Sequence, residues 1–245
     1  MGEINRRKFL MTAGAVAMTA ALPAAGLRNA LAAGKIKPTD SDALLVIDVQ
    51  NCFVPGGSLA VKGGDEIVPL INRIANRFHN VVMTQDWHTP HHMSFASSYP
   101  DMKPFDAVKV AYGDQVLWPD HCVQGTDGAA IVSGVSIPQA QLIIRKGFHR
   151  DVDSYSAFLE ADRKTETGLA GYLRSRKVNR VFVCGLATDY CVAWSALDAR
   201  KFGFQADVIE DASRGIDLNG SLAAAWKDME KAGVKRIQSS DIEMA

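Results

Sequence analysis

The stretch VFVCGLATDYCVAW (181–194) decides the fold. Val181, Phe182 and Val183 form a short apolar run rich in β-branched side chains, the composition of a buried strand, and Gly185 ends it. Residues 186–190 then make a tight polar connection, and a helix is expected to begin near Cys191. A strand passing through a tight turn into a helix puts one thiol at a helix N-terminus, where free N–H groups and the positive end of the dipole favour a thiolate. The same N–H groups can receive the negative oxygen that forms when a thiolate attacks a carbonyl. The competing reading is that Cys191 is an inert buried apolar residue, as most free cysteines are.

Working outward, the pattern predicts further strands at 43–49, 81–84, 142–145, 205–209 and 234–237. Helices are expected over 65–78, where Ile67, Leu70, Ile71 and Ile74 recur at helical spacing, and over 167–176, 191–201 and 221–232. Strands alternating with helices predict an α/β protein: a three-layer, doubly wound, mostly parallel sheet with helices on both faces. In such sheets ligands sit beyond the carboxyl ends of the strands. Asp48, Asp86, Lys146 and Cys191 all stand at or just past expected strand ends, so they should converge on one crevice. The segment 86–141 lacks periodicity yet holds four of the six histidines, which argues for an ordered site rather than a spacer.

The chain opens with Asn5, Arg6, Arg7, Lys8, Phe9, Leu10 and Met11, followed by a weakly apolar stretch to residue 27 and a small-residue sequence at Ala30, Leu31 and Ala32. This order is that of a bacterial export signal, and the arginine pair points to the twin-arginine machinery as a partner and to a periplasmic destination. Residues 1–32 are therefore set aside as a signal peptide and 33–41 as a polar linker, leaving 42–245 as a single domain. Without 1–32 the chain has 23 basic and 26 acidic residues, a net charge of −3, which gives no footing for nucleic-acid or anionic-membrane binding. No other apolar run is long enough to span a bilayer. The four cysteines, 52, 122, 184 and 191, have the spacing of no small stapled scaffold. A folded-state export route would let a metal or a reduced thiol be installed beforehand.

Two constellations carry chemistry. Asp86 and His88 leave a strand together, pointing the same way, and His91, His92 and His121 follow. One carboxylate with imidazoles suits zinc, iron or manganese and leaves room for water; spacing does not choose between His91 and His92. In the second, Asp48 is placed to take the thiol proton of Cys191 and return it to a leaving amine, and Lys146 is placed to favour the charged form of that pair. Phe53, Trp118 and Tyr155 can line an apolar slot for a flat ring. Cys184 reads as core.

Together LLVIDVQN (44–51), PGGSLAV (55–61), TQDWH (84–88), HMSFAS (92–97), WPDHCVQGT (118–126), KG (146–147), VDSYSAF (152–158) and GLATDYCV (185–192) resemble the nicotinamidase/pyrazinamidase branch of the isochorismatase-like cysteine hydrolases. The resemblance implies a catalytic triad of Asp48, Lys146 and Cys191, an oxyanion site at the backbone N–H groups of Ala187 and Cys191, and a cis peptide at Leu186–Ala187. It implies a divalent ion, zinc foremost, on Asp86, His88, His92 and His121, with His92 chosen over His91, and a metal that holds the pyridine nitrogen. One departure is visible: Cys52 stands where the family's first motif commonly has a second aspartate.

The expected reaction is hydrolysis of nicotinamide, or pyrazinamide, to the acid and ammonia through a cysteine thioester. Alternatives are another small amide or ureido substrate in the same fold, direct attack by zinc-bound water, and a metal-binding protein without turnover. A homo-oligomer stays open.

Overall fold

The computed structural model describes residues 34–244; the expected signal peptide, 1–32, lies outside them. Six strands form one parallel sheet in the order β5-β2-β1-β6-β7-β8: β1 (Asp42–Ile47), β2 (Asn80–Asp86), β5 (Leu142–Lys146), β6 (Arg180–Leu186), β7 (Gln205–Arg214) and β8 (Lys235–Ile237). Four helices connect and cover them: α1 (Val68–Ala75), α2 (Leu169–Ser175), α3 (Ala193–Lys201) and α4 (Ser221–Lys231). No helix among the described residues is long and apolar enough to cross a membrane.

The sheet is buried on both faces, and β1 shows how. Leu44 and Val46 pack with Ile67, Ile71 and Ile74 from the α1 side. Ala43, Leu45 and Ile47, on the opposite side of the pleat, pack with Leu169 and Leu173 of α2 and Ala193 and Ala196 of α3. Both clusters are fully or almost fully buried, and each large aliphatic side chain so placed contributes about 1.5–3 kcal/mol of transfer free energy. Parallel strands buried on two faces need continuous apolar runs, which is why DALLVI and RVFVCGL were readable as strands.

Chain order reverses between β1 and β6, the two central strands, and a crevice opens beyond their carboxyl ends at such a point. Gly185 makes their close approach feasible: its φ is +118°, and a Cβ there would lie 2.1 Å from the Ile47 carbonyl oxygen.

Several expectations change. The helix expected over 65–78 is trimmed to Val68–Ala75. The helix expected from Cys191 starts instead as a π-helical turn, Thr188–Val192, that runs into α3 at Ala193, so Cys191 sits inside the turn rather than at a regular helix N-terminus. The stretch 86–141 holds an antiparallel ribbon, β3 (Ala107–Val110) with β4 (Gly113–Val116). Its largely exposed residues carry little alternation to announce it. The 33–41 linker is tied down where it turns apolar: Ile36 bridges Ile242, with its N–H donating to Asp241 O and its carbonyl accepting from Glu243 N. Cys52 and Cys122, given no role above, form a disulfide across 70 residues of chain.

Candidate active site

The crevice is organised around one buried ammonium. Lys146 ends β5 with its side chain wholly buried. Its Nζ is 2.8 Å from Asp48 Oδ2, 3.4 Å from Cys191 Sγ and 3.2 Å from the Ser154 carbonyl oxygen, and it contacts Asp86 Oδ1 closely. Burial alone would strip the ammonium of its proton, but Asp48 and Asp86 hold its pKa well above the ordinary lysine value. Asp48, Asp86, Lys146 and Cys191, from four separate strand ends, thus form one cluster.

Asp48 is fully buried and adopts a left-handed backbone, φ +47°. Thr84 fixes it twice: its hydroxyl donates to Asp48 Oδ1 at 2.6 Å and accepts from the Asp48 N–H at 3.0 Å. Oδ2 faces Nζ at close range but off the hydrogen-bonding line, so that contact is electrostatic and the oxygen keeps a free lone pair. Burial pushes the Asp48 carboxyl up to about 6, against the pull of Lys146. Burial also pushes the Cys191 thiol well above its usual value, with Lys146 again opposing. The resting pair at neutral pH is therefore carboxylate plus thiol, with an ammonium ready to hold a thiolate.

Asp86 faces both ways. Its Oδ1 meets Lys146, and its Oδ2 lies 3.7 Å from His88 Nε2 and 3.8 Å from His121 Nε2. Burial acts to raise this carboxyl, but Lys146 and His88 outweigh it and hold it below the usual range. Each imidazole has its Nδ1 2.8 Å from a backbone carbonyl, that of Gly147 for His88 and that of Pro119 for His121. With Nδ1–H donating to those carbonyls, both rings present the Nε2 lone pair toward Asp86, the outer-shell support that metal-binding histidines use. Burial lowers His121 to about 4, keeping it unprotonated at neutral pH. Burial acts to lower His88 as well, but Asp86 outweighs it and raises that ring. One carboxylate and two imidazoles converge here and fit a divalent metal with open positions, which would take the place of the His88 proton. Gly147 makes room: its φ is +67°, and a Cβ would stand 2.5 Å from His88 Cε1.

His92 departs from the expected four-ligand set. It is buried and its ring lies 4.4 Å from that of His88, whereas His91 is exposed. Yet its Nδ1 is 2.8 Å from Ser94 Oγ and its Nε2 is 3.0 and 3.2 Å from the His149 and Val152 carbonyl oxygens. One ring N–H shared by two carbonyls leaves the other nitrogen accepting from Ser94, so no lone pair is turned to Asp86. His92 packs against the ring of His88, and with His88 and Asp153 it forms a second group of donor atoms lying within 4.8 Å of one another, separate from the set around Asp86.

Phe53, Trp118 and Tyr155 all line the narrow cavity that Cys191 also faces. Trp118 Nε1 donates to the Tyr155 hydroxyl at 3.0 Å, and Tyr190 packs edge-on against Trp118 at 4.9 Å. Ala187 lines the same space, and the Leu186–Ala187 peptide is cis.

Sequence reasoning missed Thr84, Gln50 and Asp153, each a partner rather than an end point. Gln50 accepts from the Asp86 N–H at 2.8 Å and donates to the Asp86 carbonyl at 2.9 Å. Asp153 accepts from Gln115 and from the Ser154 N–H. Thr84, Gln50 and Asp153 lie inside the quoted motifs, which was the available signal. Leu59, Tyr190 and Ile216 also line the cavity, and nothing in the sequence marks Ile216.

Residues 42–241 match the isochorismatase domain. A nicotinamidase from Acinetobacter baylyi is 55% identical over 208 residues, covering 85% of this chain and 97% of the relative. A nicotinamidase/pyrazinamidase structure from Acinetobacter baumannii superposes with TM-score 0.83 at 58% identity, over 84% of this chain and 99% of that one. An L. infantum protein in complex with nicotinate gives TM-score 0.75 at 38% identity, over 85% and 98%. A pyrazinamidase of Pyrococcus horikoshii in complex with zinc gives 0.66 at 36%, over 81% and 99%. The chain belongs to the isochorismatase family, in its nicotinamidase branch.

Proposed function

We propose that this protein hydrolyses nicotinamide, and pyrazinamide, to the carboxylate and ammonia, with Cys191 as nucleophile, Asp48 as proton carrier and Lys146 as the charge that holds them. The observation that carries the reading is the single buried cluster of Asp48, Lys146, Asp86 and Cys191 beneath an aromatic slot with His88 and His121 at its side.

Asp48 takes the thiol proton through its free Oδ2 lone pair, and Lys146 stabilises the sulfur anion as it forms. The thiolate attacks the carboxamide carbon, and the backbone N–H groups of Ala187 and Cys191 receive the oxyanion. Asp48 returns the proton to the departing ammonia, leaving a thioester. It then deprotonates the water that resolves the thioester, and the released thiolate recovers a proton. Phe53, Trp118, Tyr155 and Tyr190 clamp the ring and exclude bulk water. Asp86, His88 and His121 would hold the divalent ion, zinc on this donor set, which supplies a Lewis acid for the ring nitrogen.

Purified protein is expected to release ammonia from nicotinamide and to lose most of that activity on chelation, regaining it with zinc. No release from either amide by reduced, metal-loaded protein would overturn the reading. The acid limb of kcat/KM follows from Asp48. Its carboxyl is raised to about 6 and must be ionised to act, so the rate should be level above that pH. It should fall about tenfold per unit below. A limb near pH 4 in metal-saturated enzyme would mean that burial does not raise Asp48 in the working site, and no acid limb down to pH 4 would exclude Asp48 as the base.

We further propose export by the twin-arginine route to the periplasm. Arg6, Arg7 and the apolar stretch after them support it, and the Cys52–Cys122 disulfide suits an oxidising compartment. Changing Arg6 and Arg7 to Lys should leave uncleaved protein in the cytoplasm; cleaved protein found only there in the wild type would sink the proposal.

A further inference from the structure

One buried carboxylate beside the nucleophile takes no part in the chemistry above. Asp189, two residues before Cys191, is 6% exposed and has no ion-pair partner among the described residues. Both its oxygens face away from the triad cluster, into the loop joining β7 to α4. Oδ1 accepts from the Ile216 N–H at 2.9 Å, and Oδ2 accepts from the Asp217 N–H at 2.8 Å and from the Ser221 hydroxyl at 2.5 Å. Three donors satisfy both oxygens of this carboxylate from one loop.

The loop needs that hold. Asp217 and Asn219 have left-handed backbones, φ +57° and +53°, as does Gly220 at +82°. Asp and Asn reach that region more readily than other non-glycine residues, and the Asp189 carboxylate fixes the first of them through its backbone N–H. Ile216, the first residue fixed by Asp189, is the only one of this loop that lines the cavity, facing the same space as Tyr190 and Cys191. The π-helical turn that carries Cys191 therefore also carries the clamp that sets one wall of its pocket.

We infer that Asp189 is a positioning residue that holds Ile216 against the substrate ring, and that Ile216 decides which ring-substituted azine carboxamides are admitted. The inference rests on the amide-hydrolase reading of the same cavity. A branched side chain pinned by its own backbone has little room to yield, so it rejects bulk on that edge of the ring by steric contact. Shortening it opens space for about one methyl group or more, and a methylene-sized change in an apolar pocket alters discrimination about 10–200-fold.

The test compares kcat and KM for nicotinamide and for its ring-methylated derivatives in the metal-loaded enzyme. Ile216→Ala should raise kcat/KM for at least one methylated substrate, relative to nicotinamide, tenfold or more, with Ile216→Val intermediate. Asp189→Asn keeps the shape but turns an N–H₂ toward a backbone N–H. It should raise the nicotinamide KM fivefold or more with kcat within threefold, and relax selectivity in the same direction. Should Asp189→Asn not fold, Ser221→Ala removes one of the three donors, and a smaller KM rise with the same selectivity change is expected. Selectivity within twofold of wild type in the Ile216 variants, or a kcat loss without a KM change in Asp189→Asn, would overturn the inference. Wild-type enzyme inactive on every member of the series would instead overturn the amide-hydrolase reading.

Discussion

Cys191→Ala is expected to abolish ammonia release from nicotinamide, by about 10³-fold or more, while leaving the metal site loaded. The size follows from what is lost. Without the sulfur there is no covalent intermediate, and the remaining groups offer only a slot, an oxyanion site and a base that could activate water against an amide rather than a thioester. The side chain is buried, but the substitution removes a single sulfur atom and leaves the Cβ, so the fold should survive. Metal content measured on the same sample separates the two hydrolytic mechanisms. If water on the ion attacked directly, the variant would hold its metal and keep its rate, because Asp86, His88 and His121 are untouched. If the thioester route holds, the metal stays and turnover goes. Mass spectrometry of wild type quenched during turnover should also show a nicotinoyl adduct on the peptide containing Cys191, absent from the variant.

How much of this arrangement was readable in the sequence depended on which residues stand at strand ends. Asp48, Asp86 and Lys146 are legible because a parallel sheet buried on both faces demands continuous apolar runs, and those runs stop at or just before them, while Cys191 follows the end of its run by one tight turn. Their meeting at the reversal between β1 and β6 then follows from topology. The expected strands nearly coincide with those seen, whereas β3 and β4 were invisible because exposed ribbon residues obey no burial period. His92 shows a different limit. Its chain position is that of a ligand, but where a ring nitrogen points depends on Ser94 and on two carbonyls 57 and 60 residues away. Cys52 and Cys122 likewise meet only because the 118–126 segment folds back, with the His88 N–H donating to the Cys122 carbonyl. Ile216 was unreadable for the plainest reason: an isoleucine after a strand looks like any other, and only the carboxylate of Asp189 makes its place special.

Lys146→Met should cost both activity and stability, and the stability loss should depend on pH in a direction that identifies its source. The substitution keeps the length of the side chain and removes the one lysine or arginine, among the described residues, in contact with Asp48, Asp86 and Cys191 Sγ. Leaving a buried charge uncompensated costs about 3–5 kcal/mol, so the midpoint of denaturation at pH 8 should drop substantially. Two buried carboxyls then face each other without the ammonium that opposes the effect of burial on both. The folded-state pKa of Asp48, already raised to about 6 in the wild type, should rise further. A carboxyl raised above its unfolded value near 3.8 binds its proton more readily in the folded state. The penalty is thus absent below that unfolded value, grows as pH climbs toward the folded pKa and is complete above it. The variant's deficit relative to wild type should therefore shrink between pH 8 and pH 5. Equal deficits at pH 5 and pH 8 would mean that the loss does not come from the Asp48 carboxyl left without its cation. Activity should not recover at the lower pH, because protonating Asp48 restores the fold by consuming the base that Cys191 needs.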